Sequence, residues 1–132
     1  MVKIMRESTV KILDDKDMEF VEALRSLSVS RNVATLITFL ANVDEASSRE
    51  IEMGSDLRQP EVSIAMRSLR GNNWIEEREI KREGKGRPMK VYSLRASIDE
   101  IIKFYEQQKL NESAQAMESI QRLKQLSSSL SY

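Results

Sequence analysis

SSREIEMGSDLRQPEVSIAMRSLRGNNWIEEREIKREGKGRPMKVYSL, residues 47–94, is the stretch whose reading decides the fold. Ser47-Ser48-Arg49-Glu50 has the spacing of a capping box, in which the serine accepts from the Glu50 amide while the Glu50 side chain reaches back. A short helix is expected from there to Gly54 or Ser55, with Gly54 in the left-handed conformation that ends a helix and Leu57 as an apolar anchor in the turn. Pro60 falls where the first turn of a helix tolerates it, so a further helix is expected over residues 60–70. Its inner face is Val62, Ala65, Met66 and Leu69, and its outer face and flanks carry Pro60, Glu61, Ser63, Ile64, Arg67 and Arg70. Gly71-Asn72-Asn73 stops it, and residues 74–82 and 89–94 read as two strands bracketing the basic, glycine-punctuated turn at 83–88.

Upstream, the helical pattern begins at Asp15, with Phe20, Val21, Leu24 and Leu27 on one face and acidic residues in the first turn, where the helix dipole favours them. That helix is expected to end shortly after Leu27. Ser30 is a candidate N-cap for a second helix reaching about Asn42, apolar around most of its circumference and so the expected centre of the core. Residues 1–14, where Val2, Ile4, Val10 and Ile12 alternate loosely, read as a short strand or a packed arm. Downstream, Ser97-Ile98-Asp99-Glu100 is a second capping box and opens a helical region to about Leu130. Its apolar spacing falters between Gln107 and Ser113, which allows a kink near Asn111.

The expected fold is therefore mainly α with a small β-hairpin: a winged helix-turn-helix followed by a long C-terminal helical region. Three parts are expected: an N-terminal arm (1–14), a winged helix-turn-helix DNA-binding domain (15–95) and a C-terminal helical dimerisation region (96–132).

Composition narrows the function. The 132 residues carry 40% hydrophobic and 32% charged side chains, which suits one folded, helix-rich domain with length left for an extension. Neither cysteine nor histidine occurs, which removes disulfides, thiol nucleophiles, Cys/His metal sites and imidazole catalysis together. No enzyme, cofactor or metal is expected. The N-terminus lacks the apolar run of a signal peptide and no stretch has membrane-spanning length, so a cytoplasmic protein with no membrane partner is expected. The net charge of zero is unevenly spread: residues 1–57 carry 7 basic and 11 acidic side chains, residues 58–95 carry 10 and 5, and residues 96–132 carry 4 and 5. The positive charge sits on the helix at 60–70 and the hairpin.

Arg67 and Arg70 lie about a turn apart and off the apolar stripe, so they can enter a groove together, where Arg pairs bidentately with guanine; a solvated basic face would have the same spelling. Gln59 and Ser63 suit an adenine edge or a phosphate at the helix N-terminus, although Gln59 can merely cap. Glu61 can accept from cytosine or serve the helix dipole. Lys81, Arg82, Lys85, Arg87 and Lys90 surround two glycines and suit a phosphate ridge, as well as an ordinary charged hairpin edge. Trp74, Tyr92 and Phe39 fall on apolar periodicities and are expected in the core; Glu76, Glu77 and Glu79 make a poor metal site.

With its elements in this order, the segment resembles the DNA-binding domain of winged-helix transcriptional regulators in the broad MarR, ArsR and TrmB group, especially archaeal members. The resemblance covers about residues 15–95 and rests on Leu57 to Leu69 with Val62-Ser63, on Asn73-Trp74-Ile75, and on Gly86-Arg87-Pro88 followed by Val91-Tyr92-Ser93-Leu94. It implies a recognition helix with contacts from Gln59, Pro60, Ser63, Arg67 and Arg70, and wing contacts from Lys85 and Arg87. The chain departs from metal-sensing members in having no Cys or His, and no small-molecule effector can be named.

The expected function is sequence-specific binding of double-stranded DNA by a homodimeric transcriptional regulator. The alternative is a winged helix used as a protein-interaction module in transcription or assembly, its basic face meeting an acidic partner. Dimerisation is expected through the C-terminal region, where Ala116, Ile120, Leu123 and Leu130 keep a four-and-three spacing broken only at Ser127.

Overall fold

The computed structural model describes residues 11–81 and 86–130. The chain forms two compact units, residues 1–96 and residues 97–132.

The first unit is built around a buried helix. α1 (Asp15–Arg25) starts on a capping box not expected from the sequence: the Asp17 amide donates to Asp14 Oδ1 at 2.9 Å and the Asp14 amide to Asp17 Oδ2 at 3.0 Å. It ends at Arg25, and Leu27 lies in the turn beyond, where Ser28 takes a positive φ of 72°. α2 (Arg31–Ala41) is capped by Ser30, and every residue from Val33 to Leu40 is buried. Two threonines are among them. Thr38 donates back to the Ala34 carbonyl at 2.8 Å, whereas the Thr35 hydroxyl has no hydrogen-bond partner among the described residues.

α3 (Ser48–Ser55) is opened by the expected capping box, with Ser47 N to Glu50 Oε1 at 2.9 Å and Glu50 N to Ser47 Oγ at 3.2 Å. Gly54 does not end it. The left-handed residue is Asp56, at φ 61°, and Gly54 stays in the helix with its Cα facing inward. A Cβ there would run into the Lys11 carbonyl and the Phe39 ring, so glycine serves a close approach, fixed by the Leu13 amide bonding the Gly54 carbonyl at 3.1 Å. In the turn that follows, Leu57 is 2% exposed and its amide bonds Ser55 Oγ.

α4 (Gln59–Gly71) buries Val62, Ala65, Met66 and Leu69 as the spacing requires. Glu61 serves the helix start, its carboxylate accepting from the Arg58 amide at 2.8 Å. At the other end Asn73 takes φ 60° and the Trp74 amide bonds the Leu69 carbonyl, turning the chain into the sheet.

That sheet has three antiparallel strands rather than the two of the expected hairpin. β1 (Ala46–Ser47), β2 (Ile75–Ile80) and β3 (Met89–Leu94) stand in the order β1-β3-β2, with β1 pairing through Ala46 to Tyr92 and Ser47 to Val91. β2 is shorter at both ends than residues 74–82, and its register sets Glu77 against Tyr92 and Glu79 against Lys90. Trp74, Tyr92 and Phe39 are all buried. Of the N-terminal arm, residues 1–10 lie outside the described residues, with Val2, Ile4 and Val10 among them.

The second unit is one helix, α5 (Ile98–Ser127), capped by Ser97, whose Oγ accepts from the Glu100 amide at 3.1 Å. Its 30 residues span roughly 45 Å and continue through Asn111, which accepts from Gln107 Nε2 at 3.1 Å, so the interruption in apolar spacing marks no break. The helix stops at Ser127, leaving Leu130 in the turn beyond. Among the described residues no helix is long and apolar enough to cross a membrane.

Candidate nucleic-acid interface

A helix whose inner face is buried must show its outer face to something. On α4 that outer face carries Gln59, Pro60, Ser63, Arg67 and Arg70, all exposed. Gln59, Ser63, Arg67 and Arg70 border a shallow depression of about 180 Å³, closed by Ser48 at the start of α3 and Tyr92 of β3 and floored by Val62 and Met66. Pro60 lies outside it, on the helix's first turn. The Ser63 hydroxyl points to Gln59 Oε1 at 3.4 Å, a long and weak bond that leaves both groups ready for another partner.

The two arginines are not equivalent. Arg70 Nη2 lies 3.1 Å from Glu77 Oε1, and the second oxygen of the same carboxylate lies 3.4 Å from Lys90 Nζ. Partial burial pulls the Glu77 pKa upward, but the bonds from Arg70 and Lys90 and their charges outweigh it, and the carboxyl is held below its ordinary value. Glu77 thus occupies Arg70 and Lys90 much as a phosphate would. The Arg67 side chain has no ion pair or hydrogen bond among the described residues. It stands on the exposed side of α4 with its full charge unspent.

In the wing, Lys81 and Arg87 are exposed and likewise without an ionic partner among the described residues, and Gly86 uses the conformational freedom of glycine at φ 126°. Lys90 is exposed but shares Glu77. Arg82 and Lys85 lie outside the described residues.

One participant, Glu77, does not stand out in the sequence. Glu77 figured only in a doubtful carboxylate cluster; its grip on Lys90 is a diagonal cross-strand pair, visible once the register is known. Among the described residues no group of three acidic side chains could hold a metal ion. Arg78 turns away from this face: its guanidinium binds Glu45 through two parallel bonds, Nη2 to Oε1 at 2.6 Å and Nε to Oε2 at 2.9 Å, bracing the hairpin against the segment before β1.

On the second unit, Ala116, Ile120 and Leu123 lie on α5 and are exposed, as is Leu130 past its end. Every residue from Leu110 to Leu130 is exposed, so the apolar set also includes Leu110, Met117 and Leu126.

A helix, a turn and a second helix with one buried and one polar face, followed by a basic antiparallel hairpin, can place α4 in a major groove and the hairpin on the adjoining backbone. The fold is similar to that of the solved structure of a possible transcriptional regulator from Methanosarcina mazei Go1, at a TM-score of 0.58 and 11% identity over 80% of this chain and 87% of that one. The fold is a winged helix. A MarR family regulator from Neisseria meningitidis aligns more loosely, with a TM-score of 0.45 and 23% identity over 76% of this chain and 66% of that one. A further transcriptional regulator gives 0.49 and 21% over 87% and 78%. No protein-family profile matches the chain. No curated protein does either.

Proposed function

We propose that the chain is a sequence-specific double-stranded-DNA-binding transcriptional regulator that acts as a homodimer. Residues 15–95 form the DNA-binding domain, residues 1–14 an arm, and residues 96–132 the dimerisation region. The observation that carries this reading is Arg67: an arginine without an ionic partner among the described residues, on the exposed face of the second helix of a helix-turn-helix, beside Ser63 and Gln59. Arg67 and Ser63 read base edges, Gln59 and Pro60 meet the groove at the helix start, and Arg70 contacts base or phosphate once it leaves Glu77. Lys81, Arg82, Lys85, Arg87 and Lys90 hold the flanking backbone. The solved regulator with the same fold supports the reading as an analogy of architecture.

Pairing of α5 with its copy, through Ala116, Ile120, Leu123 and Leu130, buries an apolar stripe that is otherwise in water, and a two-fold dimer matches a palindromic site.

The test is selection of bound sequences from a random duplex pool, followed by a salt series on the selected site. A recovered palindrome and a log-log salt slope near −0.9 per phosphate contact are expected. Recovery of no sequence together with a slope near zero would instead favour a protein-interaction module.

A further inference from the structure

We propose that Ile64 is a specificity-determining residue that reads the C5-methyl group of a thymine next to the guanine read by Arg67. The inference rests on the proposed duplex-binding function and adds to it a base and the atom recognised.

The argument begins with the outward pole of α4. At about 100° per residue, the buried set Val62, Ala65, Met66 and Leu69 faces one way, and the opposite direction runs between Arg67 and Ile64, with Pro60 one turn before. Ile64 is 57% exposed there, in the middle of the polar face. Folding does not account for it. An exposed isoleucine loses χ1 freedom in a helix, so alanine, lysine or glutamate would support α4 better, and no core packing compensates. Single exposed apolar residues are common on protein surfaces, but this one adjoins two polar candidate readers, Ser63 before it in the chain and Arg67 one turn on.

The chemistry of the site fits a methyl. In the major groove thymine alone among the four bases presents an apolar group, and it is recognised by apolar contact. A β-branched side chain locked at χ1 offers its methyl groups with little further loss of entropy. Ile64 and Arg67 are three residues apart, an axial rise of about 4.5 Å, comparable to the roughly 3.4 Å between successive base pairs. A guanine under Arg67 and a thymine under Ile64 are therefore neighbours or next-neighbours in one half-site.

The test replaces each thymine of the selected site with deoxyuridine, which removes only the methyl group, and measures the affinity of the full-length protein and of Ile64→Ala. One position per half-site is expected to weaken the wild type about fourfold, the equivalent of exposing one methyl-sized group. Ile64→Ala is expected to bind the thymine and uracil versions equally, and Ile64→Val to retain part of the discrimination. No penalty at any thymine, or the same penalty in Ile64→Ala, would overturn the proposal while leaving the duplex-binding reading intact. A protein that selects no sequence at all would fail at the proposed function, and this inference falls with it.

Discussion

α4 and the outer two-thirds of α5 are both helices with an unpartnered face, and the two faces differ in what they need. α4 buries four side chains and turns Gln59, Ser63 and Arg67 to solvent, so its packed face holds it in place and its open face, Ile64 apart, is polar. Beyond Lys109, α5 buries nothing, yet it carries Leu110, Met117, Ile120, Leu123 and Leu126 at 44–65% exposure. Most helical stability in proteins comes from packing an apolar face, and an isolated helix gains little from propensity alone. The open face of α4 thus places no demand on folding, whereas the exposed apolar stripe of α5 does.

That contrast can be broken most forcefully at α5. Ile120→Glu with Leu123→Glu places like charges in the stripe while keeping good helix formers. The full-length variant is expected to sediment as a monomer with its first unit folded, and to lose on the order of 10²- to 10⁴-fold in affinity for a two-half-site duplex, the gain that linking two binding modules supplies. A variant that stays dimeric at micromolar concentration would put the interface elsewhere, most directly in residues 1–27. Next in size is Arg67→Ala, expected to cost about 1 to 3 kcal/mol per half-site on the selected sequence and far less on random duplex. Equal losses on both would make Arg67 a phosphate contact and not a reader.

Within the first unit, Thr35→Val replaces a buried hydroxyl without a partner among the described residues by a methyl group of similar shape. Since an unsatisfied buried polar group costs about 1 to 3 kcal/mol, a stabilisation of roughly 1 kcal/mol is expected by denaturant titration, with DNA affinity unchanged. A loss of stability would reveal a partner for that oxygen.

What could be read from the sequence was local. The capping boxes at Ser47 and Ser97, the all-round apolar α2 and the buried stripe of α4 each declare themselves within a few residues, and each is present. What escaped was mostly long-range, the local exception being the Asp14–Asp17 capping box that opens α1. β1 is two residues long and exists only because Ala46 and Ser47 meet Tyr92 and Val91, far along the chain. Gly54 looks like a helix terminator when seen beside its neighbours, but its reason for being glycine is Lys11 and Phe39. The faltering stripe between Gln107 and Ser113 suggests a kink only if the helix must follow a core; a helix that buries no residue there has no such constraint. The same limit holds for the candidate interface. Periodicity puts Arg67 and Arg70 on the outer side of α4 alike, and only the packing of α4 beside β2 shows that one of them is held by Glu77.

Glu77 therefore offers the smallest and most discriminating test of how far the polar face is preset. Its carboxylate binds Arg70 and Lys90 within the protein and, in the proposed complex, would compete with phosphate for both. In Glu77→Gln that competition is gone, and affinity for any duplex at low salt is expected to rise by up to about fivefold, since an exposed pair is worth at most roughly 1 kcal/mol. Stability should move the other way, and its pH dependence identifies the cause. Burial raises the Glu77 pKa, the bonds and charges of Arg70 and Lys90 lower it further than burial lifts it, and the folded value lies below the ordinary 4.5. A carboxyl depressed on folding contributes stability that is whole above its unfolded pKa and is lost as pH falls through the folded one. Wild type should accordingly exceed Glu77→Gln in stability at neutral pH, with the gap closing as both are acidified below the Glu77 pKa. A gap that persists in acid would assign the loss to packing rather than charge. Unchanged affinity and stability at neutral pH would mean that Arg70 is as available to DNA as Arg67, and the difference between the two arginines would vanish.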